Sequence, residues 1–191
     1  GEETHFTWSS ADMTGEDNVT LAYMQECAAE AGLHTVALAI EPLGYDSDLD
    51  RFVDLEEAPI SSVFKLYPWE WMLDDEFGRR AVDLLPETMW VEPLWKALLS
   101  NKAILAVLWE MYPGHPNLLP TYLDDPHELA DYLRKPKLGR EGGNITVAAP
   151  GYQLETGGVY GAEGFVYQLF DPLPQFDDMH PCLGAWIVGD E

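Results

Sequence analysis

The chemistry of this sequence concentrates where its few cations meet its glycines. Arg134, Lys135, Lys137 and Arg140 place four of the ten Lys and Arg side chains within seven residues. The stretch reads Arg134-Lys-Pro-Lys-Leu-Gly-Arg-Glu-Gly-Gly-Asn144. Glycines let backbone N–H groups turn toward an anion without a Cβ in the way, and flanking Lys or Arg add charge-assisted hydrogen bonds. A cationic strand, then Gly139, Gly142 and Gly143, then a strand from Ile145, would form a strand–loop–strand lid over nucleotide phosphates. The same residues would equally suit an exposed hairpin with basic side chains on an edge strand. The loop is not of the Walker A type, because no Gly-Lys-Ser/Thr follows and no helix opens there.

Leu99-Ser-Asn-Lys-Ala-Ile-Leu105 is a second candidate. Ser100 or Asn101 can cap a helix, which puts Lys102 in its first turn. A cation there opposes the helix dipole by roughly 0.3–1 kcal/mol. An anion shared between the helix N-terminus and the ammonium would remove that penalty, and a solvated lysine would simply tolerate it. In Lys65-Leu-Tyr-Pro-Trp-Glu-Trp71, three aromatics around a Lys and a Glu suit either a pocket floor or core packing with a snorkelling lysine, the latter being the expectation. Gly15-Glu-Asp-Asn18 reads as a helix N-terminus with favourable acidic charge. Its Glu-x-Asn spacing also occurs in magnesium sites.

Other signals are weak. Gly157, Gly158, Gly161 and Gly164 lack the spacing and the following helix of a dinucleotide fingerprint. No His-x3-His, His-Glu-x-x-His or Gly-x-Ser-x-Gly motif occurs. Cys27 and Cys182 form no Cys-x-x-Cys pair, which favours a reduced, cytoplasmic setting; Cys182 is expected in the core.

With 34 acidic against 10 basic side chains, the 191-residue chain has a formal charge of -24. That excludes a nucleic-acid backbone, whose binding depends on Lys and Arg displacing counterions. It also excludes electrostatic docking on an anionic leaflet. A hydrophobic content of 47% and an aromatic content of 12% point to a folded chain with a core rather than to disorder. The longest apolar runs, such as Ala103 to Trp109, are too short to span a bilayer. The chain starts at Gly1 without Met and stops just after a strand-like run, so both ends are expected to be clipped.

The elements that must position these residues follow from periodicity and punctuation. His5 to Ser9 reads as a strand. A helix follows from about Asn18 to Ala31, with Leu21, Met24, Ala28 and Ala31 on one face and Gly32 as its stop. Thr35 to Ile40 reads as a buried strand, and Ile60 to Tyr67 as the return, with Val63, Lys65 and Tyr67 alternating against Phe64 and Leu66. Pro68 opens a helix through Trp69 to Phe77. Thr88 to Glu92 is strand-like, Pro93 starts a helix, and Lys102 to Met111 is another. Asp125-Pro126 begins a short helix to Leu133. Short strands follow at 134–138, 145–149, 164–170 and 183–188. Mixed α and β throughout argues for an α+β fold.

Several motifs occur together and in order. They are Phe64-Lys-Leu-Tyr-Pro-Trp-Glu-Trp71, Trp90-Val-Glu-Pro-Leu-Trp-Lys-Ala-Leu-Leu-Ser-Asn-Lys102, Leu108-Trp-Glu-Met111, Lys135-Pro136 with Arg140 to Asn144, and Tyr167-Gln168. Over almost its whole length the chain resembles the C-terminal part of the glutathionylspermidine synthase family. The resemblance implies an ATP-grasp fold, here partial, with mixed sheets, packed helices and an antiparallel strand–loop–strand lid. It implies a substrate-side part at residues 1–92 and a nucleotide-binding part at 93–191 with its loop at 139–144, both truncated from a larger synthetase domain. It further implies an ATP-dependent acid–amine ligase: ATP phosphorylates a carboxylate, and an amine attacks the acyl phosphate to give an amide. Holding that nucleotide calls for Mg2+ and fixed cations.

Residue by residue, the resemblance assigns Lys102 and Lys135 to the ATP phosphates and Arg140 to catalysis. It assigns Gly139, Glu141, Gly142, Gly143 and Asn144 to the loop that closes over the phosphates, and Gln168 to the strand beside the adenine. Glu16 and Asp17 fall where the family sets acidic residues against the polyamine. The family's Arg-x-Asp and Glu-x-Asn elements, which hold magnesium and the acidic substrate, lie upstream of this chain. Metal ligands are therefore expected outside it. A further Arg-containing segment after Trp186-Ile-Val-Gly-Asp190 and the amidase domain of bifunctional members are missing as well. The expected partners are ATP, a glutathione-like acid and a polyamine-like amine, with no nucleic acid and no membrane. The Arg140-Glu-Gly-Gly-Asn144 form is more like that of stand-alone members, whose acid and amine the motif does not set. The alternatives are a ligase with a different acid and amine, or a non-catalytic nucleotide-binding or interaction domain that kept the motifs.

Overall fold

The computed structural model describes residues 3–10, 13–76, 78–84 and 86–184. The chain divides between Ser100 and Asn101 into two units. Both mix helix and strand, so the architecture is of mixed α and β type with several sheets.

The first unit contains β1 (Glu3–Trp8), α1 (Glu16–Glu30), β2 (His34–Ala39), β3 (Gly44–Asp46), β4 (Arg51–Val53), β5 (Ser62–Lys65), α2 (Trp69–Met72), α3 (Gly78–Asp83) and β6 (Met89–Val91). A 3-10 turn at Leu94–Lys96 and α4 (Ala97–Ser100) complete it. Four strands pair in parallel in the order β2-β1-β5-β6, and β3 and β4 form a small antiparallel ribbon. In the interior strand β1, consecutive residues His5, Phe6 and Thr7 are all buried, as expected for a parallel strand covered on both faces. The core gathers Leu38, Ile40, Phe52, Val63, Trp69, Met72 and Trp90. Trp90 meets Phe52 and Trp69 edge-on at centroid distances of 5.3 and 5.8 Å, an arrangement the ring quadrupoles favour.

Local chemistry explains the element ends. α1 carries Glu16 and Asp17 in its first turn, where the helix dipole favours acids. At its other end Gly32 has φ 87°. The Gly32 N–H donates to Ala29 O at 2.9 Å and the Leu33 N–H to Ala28 O at 3.0 Å. This Schellman closure uses the one residue type free of a Cβ penalty there. Asp54 accepts the N–H groups of Glu56 and Ala58 at 2.9 Å each on one oxygen, while His5 Nε2 lies 3.3 Å from the other.

Several expectations need correction. Of the apolar face expected on α1, only Leu21 is buried; Met24 and Ala28 are half-buried and Ala31 is exposed. The strand expected as buried at 35–40 is the edge strand β2, with Ala37 exposed. Pro68 is the N-cap of α2 rather than its first residue. That helix stops at Met72, well short of Phe77, which lies outside the described residues. Lys65 does not snorkel: its side chain is 0% exposed.

The second unit contains α5 (Ala103–Met111), β7 (Thr121–Leu123), β8 (Tyr132–Pro136), β9 (Thr146–Ala149), β10 (Tyr152–Glu155) and β11 (Phe165–Leu169). The five strands form an antiparallel sheet in the order β10-β9-β8-β11-β7, and α5 packs against β7 and β11. The cation-bearing strand β8 is thus interior, not an edge. The short helix expected from Asp125 to Leu133 is absent. Asp125 Oδ1 instead accepts the His127 N–H at 2.7 Å, a local turn that competes with helix, and Tyr132 and Leu133 pair with β9 and β11. The strand expected at 183–188 lies outside the described residues from 185 onward. Cys182 is exposed rather than in the core, as is Cys27. Among the described residues no helix is long and apolar enough to cross a membrane.

Candidate functional site

The start of α5 is tied to the end of β8. Asn101, the residue before the N-cap of α5, accepts the Ala103 N–H on its Oδ1 at 2.9 Å and satisfies that first-turn donor. Lys102 is the N-cap. Its main-chain N–H donates to Lys137 O at 2.8 Å and its Nζ to Gly139 O at 2.6 Å. The cation that looked misplaced against the helix dipole therefore faces the loop that follows β8.

That loop is a defined turn. The Gly143 N–H donates to Arg140 O at 2.9 Å, and Glu141 and Gly142 both have positive φ, 51° and 69°. Two positive values at the central positions are the signature of a type I′ turn. Residues 156–158 fasten it from outside. Thr156 Oγ1 accepts the Ile145 N–H at 2.8 Å and donates to Gly142 O at 2.5 Å, and the Asn144 N–H donates to Gly157 O at 3.1 Å. A Cβ on Gly158 would stand 2.2 Å from Asn144 Oδ1. Glycine lets the two segments lie this close without displacing the Asn144 side chain.

Lys102, Lys135, Pro136, the loop from Gly139 to Gly143, and Ile145 line a cleft of about 140 Å³. Lys135 Nζ donates to Gln168 Oε1 at 2.5 Å. Burial, and then the like charge of Lys102, holds the Lys135 pKa below the usual lysine value. Strand alternation separates the clustered cations. Arg134 points to the opposite face, its guanidinium 4.6 Å from the Phe165 ring centroid and one nitrogen donating to Thr146 Oγ1 at 3.0 Å. Lys137 donates to Asp124 Oδ1 at 3.3 Å. Lys135 and Arg140 remain in the cleft with Lys102. Three cations beside glycine backbone in a concavity of this size suit a phosphate-sized anion, whereas a whole drug-sized ligand takes roughly 300 Å³ or more.

The structure thus brings together Lys102, Lys135, Gly139, Arg140, Glu141, Gly142 and Gly143, with Gln168 bonded to Lys135. Asn144 is held against residues 156–158. Glu16 and Asp17 belong to the first unit, in the opening turn of α1. Among the described residues no three His, Cys, Asp or Glu side chains gather as a metal-ligand set.

Two further features stand beside that cleft in interest, one without a sequence motif and one at the Lys65-Leu-Tyr-Pro-Trp-Glu-Trp71 run. Thr121, 1% exposed, accepts the Gln168 Nε2–H at 3.1 Å and donates to Leu119 O at 2.9 Å. In the first unit a cavity of about 230 Å³ opens beyond the carboxyl ends of β2 and β5, with Phe52, Tyr67 and Met72 in its walls alongside Glu41, Asp75 and Glu76. Burial and the neighbouring Asp75 push Tyr67 up to about 12. Nearby, Lys65 Nζ donates to Tyr67 O at 2.8 Å, lies 4.4 Å from the Trp69 ring centroid and 3.9 Å from Glu92 Oε1. Burial lowers its pKa to about 8, against the opposing pull of Glu92 and Glu70.

Comparison with known proteins gives this geometry a context. A Haemophilus influenzae protein provisionally named an acid–amine ligase is 43% identical over 201 aligned positions, covering 98% of this chain and 50% of its own length. The bifunctional glutathionylspermidine synthetase/amidase of Escherichia coli is 30% identical over 91% of this chain and 32% of its own length. Trypanothione synthetase of Crithidia fasciculata is 26% identical over 96% of this chain and 33% of its own. The chain therefore spans from 32% to 50% of the length of these relatives. A family model described as glutathionylspermidine synthase preATP-grasp matches residues 1–191, and the chain belongs to that glutathionylspermidine synthase family.

Proposed function

We propose that this chain forms the phosphate-holding part of an ATP-dependent ligase that joins a carboxylate to an amine. The observation that carries the reading is the convergence of Lys102, Lys135 and Arg140 with the glycine turn on one cleft. Two ammonium groups facing one small cleft repel each other, and a phosphate between them turns that repulsion into two charge-assisted bonds. In the reaction, a substrate carboxylate oxygen bonds to the γ-phosphorus as the bond to the β–γ bridging oxygen breaks, leaving ADP. The amine then attacks the acyl carbon, orthophosphate departs with the former carboxylate oxygen, and the amine loses a proton. Lys102 and Lys135 hold phosphate oxygens throughout, and Arg140 meets the charge that develops on the transferred group. The loop closes over the phosphates in ATP-grasp fashion with the N–H groups that precede Gly143, since those of Gly143 and Asn144 already donate to Arg140 O and Gly157 O. Mg2+ would be held by residues beyond the described ones, which offer no ligand set for it.

The names of the relatives support a glutathione-like acid and a polyamine-like amine. The motif resemblance supports Glu16 and Asp17 as amine-facing carboxylates, and two free cysteines suit a cytoplasmic setting. ADP release against a panel of acids and amines, in a longer chain containing these residues, tests that choice. Calorimetric titration with ATP tests the phosphate site. Lys102→Ala and Lys135→Ala should each weaken binding by about 10- to 100-fold, the loss of one charged hydrogen bond. The 191-residue chain should bind ATP without forming amide. Unchanged ATP affinity in Lys135→Ala would overturn the phosphate assignment, and amide formation by the 191 residues alone would overturn their role as a part.

A further inference from the structure

Three strands of the second unit carry a chain of hydrogen bonds whose polarity can take only one sense. Lys135 on β8, Gln168 on β11 and Thr121 on β7 all project from the same sheet face. Thr121 pairs with Gln168, Gln168 pairs with Leu133, and Lys135 lies two residues beyond Leu133. An ammonium has only donors, so the group of Gln168 that faces Lys135 must be its oxygen. The amide nitrogen then faces Thr121 Oγ1, which must accept. The threonine's own proton is therefore committed elsewhere, and Leu119 O receives it at 2.9 Å. A fixed main-chain carbonyl thus decides, through two side chains, that an acceptor and not a donor stands beside the Lys135 ammonium.

That acceptor matters because of its surroundings. Val147 and Val166, both buried, share this face. The charged groups lining the cleft with Lys135 are Lys102 from the start of α5, and Arg140 and Glu141 from the loop. Of these, Lys102 opposes the charge on Lys135. A flexible four-carbon stem under that repulsion would turn away or lose its proton without a fixed partner. We propose that Thr121, acting through Gln168, is a positioning residue that holds the Lys135 ammonium charged and aimed into the cleft for a nucleotide phosphate. This rests on the phosphate role proposed above for Lys135.

The test is ATP titration of the full chain from pH 7 to 10 with wild type, Thr121→Val, Thr121→Ser, Gln168→Met and Lys135→Ala, each checked for folding by circular dichroism. Thr121→Val keeps the shape and removes the hydroxyl. It should weaken ATP binding by about 3- to 10-fold, the effect of one oriented hydrogen bond. Thr121→Ser should recover most of the affinity. In Thr121→Val and Gln168→Met the alkaline loss of binding should begin at lower pH than in wild type, because the charged form of Lys135 has lost an acceptor. A purely structural threonine would change stability without moving that limb. If Thr121→Val folds and binds ATP with wild-type affinity and pH limb, the inference is overturned. Should Thr121→Val not fold, Gln168→Met decides the matter, unchanged binding again overturning the inference. Lys135→Ala separates the two levels. Unchanged binding there removes the phosphate role itself, whereas binding lost in Lys135→Ala but intact in Thr121→Val and Gln168→Met removes only the positioning role.

Discussion

Replacing Lys65 with Met isolates the cost of burying an ammonium in the first unit. The side chain is 0% exposed, and burial lowers its pKa from 10.5 to about 8. Because the folded value lies below the unfolded one, the unfolded chain binds more protons between those limits. Stability must therefore rise with pH from about 8 to 10.5. At about 1.4 kcal/mol per pKa unit the full gain is roughly 3 kcal/mol. Below pH 8 the folded state bears that whole cost, which would be larger without Glu92 at 3.9 Å and Glu70. Urea unfolding at pH 7.5, 8.5, 9.5 and 10, followed by tryptophan emission, reads the effect, since Trp69 lies against the lysine. Subtracting the variant's stability from the wild type's removes contributions common to both. These include Lys135, whose lowered pKa acts in the same direction, and Tyr67, whose raised pKa makes the folded state lose stability above pH 10. The difference should climb by roughly 1 kcal/mol per pH unit above pH 8. A difference flat within about 0.5 kcal/mol across the range would refute the buried-charge argument.

Two further substitutions probe the scaffold of the first unit. A Cβ on Gly78 would stand 1.9 Å from Met72 O, a backbone atom that cannot swing aside. Gly78→Ala should therefore destabilise by at least about 1–3 kcal/mol, read as a lowered Tm. Asp54 is buried enough that desolvation alone would raise its pKa, yet the N–H groups of Ala58 and Glu56, with His5, hold it below the ordinary carboxyl value. Its contribution is complete at neutral pH and lost as the pH falls through that lowered value. Asp54→Ala should accordingly cost about 1–3 kcal/mol at pH 7, with the gap to wild type closing below pH 3.8.

The parts of the fold legible in the sequence were those whose residues face a core. The run around Val63 was legible as a strand because it is apolar and buried inside the sheet, and the Gly32 stop because glycine relieves the left-handed conformation there. β10 was missed because Tyr152 to Glu155 is exposed throughout and pairs by backbone alone. Residues 125–133 carried a sound local helix signal, and pairing with two neighbouring strands overrode it. In the site, Lys102 stood out because a cation opposed a dipole, and the glycines because they follow cations. Which of the four clustered cations share the cleft depended on strand register and on partners such as Asp124 and Phe165. Thr121 had no signal at all, since a threonine in a short strand becomes informative only once its cross-strand partner is known.

The two sheets place unequal demands on a chain during synthesis. In the second unit β8, β9 and β10 are consecutive and pair with their immediate neighbours, so each hairpin closes over a short loop, within about 1–10 μs once its residues exist. In the first unit Thr4 pairs with Thr35 on one side and Ser62 on the other. At ribosomal rates of about 5–20 residues per second, β1 waits roughly 3–12 s for β5 to appear. Until β5 emerges, β1 can pair only with β2 on one edge, and its other edge has no strand to meet. Delayed pairing of this kind leaves apolar surface and strand edges open to association while the chain is being made.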